Sequence, residues 1–157
     1  MNKKMFLTAL AVGLVSSIAF ILIQPLFGLS TLTSRHAAAY VLHGDYSENN
    51  ALILSWVVHI SVSVAYAMLS TFIFTINRSL PVSIGQVVLL GWFTTLIATP
   101  ANQLVVKVAT TMQFPALSSL APLNTAIGPK LWLHIVFFVF VLIGLWCSTL
   151  ISSEKKD

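Results

Sequence analysis

A chain of 157 residues that is 57% hydrophobic and only 8% charged lacks the composition of a water-soluble domain, which carries about a quarter charged residues. Its mean hydropathy of +0.93 points the same way, and a net charge of +4 on eight basic residues scattered between apolar runs is a bilayer-orienting pattern, not a nucleic-acid footprint. The single cysteine, Cys147, excludes an internal disulfide and any multi-cysteine metal or iron–sulfur site within one chain.

The first element is the apolar run at residues 5–28, preceded by Lys3 and Lys4. Those lysines resemble the basic region of a signal peptide. The run continues through Ile23, however, past the roughly 7 to 15 residues of a signal core, and predicts a first transmembrane helix. Pro25 stands where that helix ends or kinks. Residues 29–50 form a polar connection holding Arg35, His36, His43, Asp45 and Glu48, with a short helix over residues 35–42.

The second helix, residues 51–77, is uncharged over its whole length and closed by Arg78. Ser55, His59, Ser63, Tyr66 and Ser70 recur in it at steps of four, four, three and four, which draws one polar stripe along an apolar cylinder. Facing lipid, such a stripe is costly, so it is expected to turn into a bundle.

A short turn through Arg78 and Pro81 predicts that the third helix, residues 82–106, packs antiparallel beside the second. Pro100 bends it near its far end, and Lys107 is expected just beyond it as an interfacial anchor. Residues 108–130 are broken by Pro115, Pro122, Gly128 and Pro129, yet remain rather apolar. They are expected to lie on the membrane surface or to fold over the bundle mouth. The fourth helix covers residues 131–151, and the tail is polar. Gly13 with Ser17, and Gly91 with Thr95, place small residues on one helix face each, as close helix contact in lipid requires.

Counting Lys and Arg with both termini inside sets five (Lys3, Lys4, Arg78, Lys155, Lys156) against three (Arg35, Lys107, Lys130), which predicts cytoplasmic termini. Trp56 and Trp132 then fall near the outer interface and Trp146 near the inner one, whereas Trp92 is mid-helix and is expected to pack internally. In this orientation every helix delivers a polar group to the outer half. Gln24 closes helix one, and His59 lies about 12 Å in from residue 51. Asn102 and Gln103 end helix three, and His134 begins helix four.

Three readings of that set stay open. The side chains hydrogen-bond across helices and hold the bundle together. Or Gln24, His59, Ser63, Tyr66, Asn102, Gln103 and His134 line a polar pocket for a small ligand. Or His59 and His134 ligate a b-type haem or a copper ion, against which their difference in depth counts. His36 and His43 are expected to be solvated, joining a metal site with His134 only if their connection folds back. Among catalytic signatures there is no P-loop, dinucleotide fingerprint, nucleophile elbow or HExxH, and Asp45 and Glu48 are the only acids outside the tail.

The glycine- and serine-rich first helix (AVGLVSSIAF), the long connection after it, and the His–Ser–aromatic second helix (HISVSVAYAML) make a pattern. The proline-containing end of helix three (ATPANQ) and the early histidine of helix four (LHIVFFVF) continue it. In this order the chain resembles the YagU-like family of small four-helix inner-membrane proteins. It departs from that pattern in having Gln24-Pro25 where charge is expected, and in a shorter outer connection. The resemblance implies an integral membrane protein and supplies no catalytic residues.

The expectation is therefore one all-α domain over residues 1–157, an up-down four-helix bundle in the inner membrane, its partner the lipid bilayer and, beyond that, a homo-oligomer or larger membrane complex. No nucleic acid and no cofactor is expected on the main reading, haem or copper on the alternative. The main functional expectation is a non-enzymatic accessory subunit or small-ligand module.

Overall fold

The computed structural model describes residues 3–154 of the backbone and side chains as far as Thr149; the counted cations Lys155 and Lys156 lie outside the described residues. Five helices and no strand are found among these residues. Helix α1 (Lys3–Ile23) passes into a 3-10 turn (Gln24–Phe27). It is followed by α2 (Leu32–Gly44), α3 (Glu48–Ile76), α4 (Leu80–Thr111) and α5 (Pro129–Glu154). Helices α1, α3, α4 and α5 are long and apolar enough to cross a bilayer, and together they form an all-α four-helix bundle.

The sequence boundaries shift in physically intelligible ways. Pro25 does not end α1 abruptly but starts the 3-10 turn. Gly28 closes that turn at φ 69°, its N–H reaching the carbonyls of Gln24 and Pro25. The short helix expected at residues 35–42 is a full α2, its start set by Thr31, whose side chain accepts from the Ser34 N–H at 3.4 Å. Helix α4 runs to Thr111, so Lys107 lies inside it and not beyond its end.

The order of packing departs from the order of the chain. Helix α1 packs between α3 and α5, and α4 packs on α5, while α3 and α4 touch only sparsely. The antiparallel neighbour predicted from the short turn at residues 77–79 is thus wrong in detail: the turn joins two helices that otherwise part. Small residues decide which pairs approach. A Cβ on Gly13 would meet the Val64 Cα at 2.8 Å, one on Gly91 the Ile135 backbone at 3.1 Å, and one on Gly144 the side chain of Val12 at 2.9 Å. These are the α1–α3, α4–α5 and α1–α5 contacts, and they substitute close backbone approach for the hydrophobic drive that lipid withholds.

The stripe of α3 turns inward as expected: Ser55, His59, Ser63 and Ser70 are all buried, spaced with Ala51 and Ala67 along the seam against α1. Ser55 donates back to the Ala51 carbonyl (2.7 Å) and Thr71 to the Ala67 carbonyl (2.7 Å), so these hydroxyls are satisfied within their own helix and serve mainly as small side chains. Phe20, Phe74, Phe137, Phe138, Val141 and Leu145 fill the core around them. Trp92 does not pack internally; it is 50% exposed on the face of α4 turned to lipid.

Helix α2 closes one end of this bundle. It packs against α3 and also against α4, and so bridges the two helices that part below it. Its first turn is tied to α1 by Gln24, whose Oε1 accepts the Leu32 N–H at 2.6 Å. Its far end is tied to α4: the Tyr46 hydroxyl donates to the Ala109 carbonyl at 2.9 Å, one of the terminal carbonyls that the end of a helix leaves open.

Candidate functional site

The long connection is stitched to α4 rather than lying free. Pro100 has no N–H, so the Leu96 carbonyl one turn earlier loses its helical donor; the Asn124 N–H fills it at 2.9 Å. Gln103 Oε1 accepts from the Ala121 N–H at 2.6 Å, and Lys107 Nζ donates to the Ser119 carbonyl and hydroxyl at 3.2 and 3.1 Å. Leu96, Gln103 and Lys107 are seven and four residues apart and share one helix face, so the connection runs back along α4 before α5 begins.

Under α2 this leaves a cavity of about 420 Å³. Its wall includes Arg35, His36 and His43 of α2, Asn102, Gln103 and Lys107 of α4, Lys130 and His134 of α5, and Gln24 from below. Six basic side chains from three helices meet there, and among the described residues no Asp or Glu lines it. Lys130 is the second residue of α5, so the partial positive charge of that helix start adds to the same field. His36 is only 6% exposed, and its Nδ1 is buried without a hydrogen-bond partner among the described residues. Burial first, then the charges of Arg35 and His59, pull its pKa down to about 4, which keeps the ring neutral at pH 7.

A second, narrower cavity of about 110 Å³ lies in the gap between α3 and α4. His59, Ser63 and Tyr66 line it from α3, Asn102 from α4 and His134 from α5, among Val58, Val62, Ile97, Ala101 and Val105. The seven residues expected to share one pocket are therefore divided. Gln24, Gln103, Asn102 and His134 belong to the cationic cavity; His59, Ser63 and Tyr66 belong to the apolar gap, which Asn102 and His134 also border.

Several of the seven are already engaged. Gln24 caps α2, and Gln103 holds the connection. His59 Nε2 lies 3.1 Å from the Ser17 carbonyl, which can only accept, so the Nε2–H donates. Thr95 gives its hydroxyl proton to the Gly91 carbonyl at 2.8 Å, so its 2.9 Å bond to His134 is donated by Nδ1–H, and His134 Nε2 is left an acceptor. The Phe20 ring lies beside both imidazoles, with centroids 5.5 Å from His59 and 5.7 Å from His134. The α2 connection does fold back, bringing His36 and His43 to the cavity that His134 borders. Among the described residues, however, no three His, Cys, Asp or Glu form a group able to hold a metal ion.

What sequence reading missed is the cationic wall. Arg35, Lys107 and Lys130 entered as topology counts, Arg35 also within a polar connection and Lys107 as an anchor, and none as part of a site. The available signal was Pro100: a carbonyl freed in mid-helix demands a donor, and the 7-and-4 spacing of Leu96, Gln103 and Lys107 marks the face that receives it. No family model matches the chain, and no curated protein or solved structure matches it either.

Proposed function

We propose that this protein is a ligand-binding module of the inner membrane that holds a small anion, or the anionic part of a larger molecule, in the cavity under α2. One observation carries the reading: Arg35, Lys107 and Lys130, from three different helices, line a single cavity that no carboxylate lines among the described residues. Arg35 and Lys130 are exposed at the rim of the cavity, so the like charges gathered there repel one another only through screening solvent, and an anion relieves that repulsion. Guanidinium and ammonium groups with neutral His36 and Asn102 supply donors for a phosphate or carboxylate. In this reading the module binds and does not catalyse, and both termini face the cytoplasm, as the five-to-three distribution of basic residues favours. The cavity then opens outward. The likeness to the YagU-like family belongs to the same proposal and adds no residues to the site.

The test is a thermal-shift titration of the detergent-purified protein with inorganic phosphate and with sulfate, against choline as a cationic control at matched ionic strength. Saturable stabilisation by the anions is expected, with midpoints raised roughly fivefold by Arg35→Gln and by Lys130→Gln, the factor corresponding to one surface charge. An unsaturating response equal for anions and choline overturns the reading. So does a haem absorbance band in the purified protein that His59→Ala abolishes, which establishes the electron-transfer alternative instead.

A further inference from the structure

The two cavities adjoin. Phe20, Leu32, Ala98, Asn102 and His134 line both, so the cationic space under α2 borders the apolar gap between α3 and α4 along a shared wall. That gap exists because consecutive helices part, and it carries apolar side chains on both walls: Val58 and Val62 on α3, Ile97, Ala101 and Val105 on α4. Val62 is 46% exposed, so the gap is open on its outer side. Along α4 it extends from Thr94 to Val105, about 16 Å at helical rise. That is about half of the 30 Å hydrocarbon core, the depth of one leaflet. Helix α2 roofs only the polar end.

We infer that the site holds one anionic phospholipid of the bilayer, its headgroup phosphate among Arg35, Lys107 and Lys130 and a few methylenes of one acyl chain in the gap between α3 and α4, the rest of that chain lying in the bilayer. This rests on the anion-binding reading above and adds the source and entry route of the ligand. The charge of the wall selects an anionic headgroup. The gap is lined by apolar side chains and opens sideways into lipid, where a chain enters without leaving hydrocarbon. A free anion uses only the upper cavity and leaves the gap unexplained.

The experiment titrates the purified full chain with short-chain phosphatidylglycerol, short-chain phosphatidylcholine and inorganic phosphate, reading thermal stability and lipid retention by native mass spectrometry. Phosphatidylglycerol is expected to act at a midpoint about tenfold below phosphatidylcholine, the equivalent of one to two charge contacts. Ala101→Trp and, from the opposite wall, Val62→Trp fill the gap. Each is expected to weaken phosphatidylglycerol about tenfold while leaving the phosphate midpoint unchanged. Lys130→Gln weakens both ligands. If phosphate binds and both tryptophan variants retain wild-type lipid affinity, the lipid inference fails and the anion reading stands. If neither phosphate nor phosphatidylglycerol binds, both fail together.

Discussion

At the residue scale, the instructive side chain is His36. From the sequence it is one more loop histidine, to be left in water. In the fold it sits on the buried face of α2, beside Arg35 and within reach of His59's field, and its pKa falls to about 4 from the ordinary 6.5. The consequence for stability has a definite sign. In the unfolded chain the ring takes up a proton below about 6.5, while in the folded chain it stays neutral until about 4. Acidification through that window therefore favours unfolding, and the contribution of neutral His36 is fully present only above it. The melting temperature is expected to drop between pH 6.5 and pH 4, and to drop less in His36→Gln, as followed by thermal unfolding in detergent across that range. An unchanged profile in the variant removes His36 from the account.

At the scale of elements, glycine contacts and one proline decide the geometry. Gly13 and Gly85 are both helical, yet a methyl on Gly13 meets the Val64 backbone at 2.8 Å, whereas one on Gly85 meets nothing within 4 Å. Gly13→Ala is expected to cost about 1–3 kcal/mol through forced separation of α1 and α3. Gly85→Ala, which only removes backbone freedom, is expected to stay within about 1 kcal/mol of the parent or to gain slightly. Reversible unfolding in mixed detergent measures both. Pro100 is the second determinant. Pro100→Ala restores the N–H that Leu96's carbonyl lacks, displaces the Asn124 N–H and loosens the connection from α4. Faster proteolysis within residues 112–128, with α4 itself intact, is the expected outcome; unchanged cleavage means that Gln103 and Lys107 hold the connection alone.

At the scale of the whole molecule, the chain order and the spatial order differ, and the difference makes the site. If α4 lay flat against α3, no gap would open below α2 and the basic residues would ring a closed bundle end. Instead α1 occupies the middle, α4 leans on α5, and α2 spans the opening. Orientation belongs to this scale too. Reporter fusions after residue 154 and within residues 112–128 are expected to report opposite sides of the membrane, the first cytoplasmic. The reverse assignment turns the cavity mouth inward and leaves its chemistry unchanged.

Composition and periodicity alone were enough for the four spans, the inward turn of the Ser55–His59–Ser63 stripe and the close contacts at Gly13 and Gly91, though not the one at Gly144, because these follow from local rules: the length needed to cross hydrocarbon, the 3.6-residue repeat, and the cost of a polar face in lipid. Helix ends were less legible, since Gly28 and Met112 stop their turns through left-handed backbone that no hydropathy pattern announces. Only the tertiary structure decided that His59 and Gln103 serve different neighbourhoods, that Trp92 faces outward, and that Arg35, Lys107 and Lys130 converge. Residues 35, 107 and 130 are far apart in the chain. What joins them is a helix crossing a gap and a connection bonded to a proline-freed carbonyl, and both depend on which helices touch.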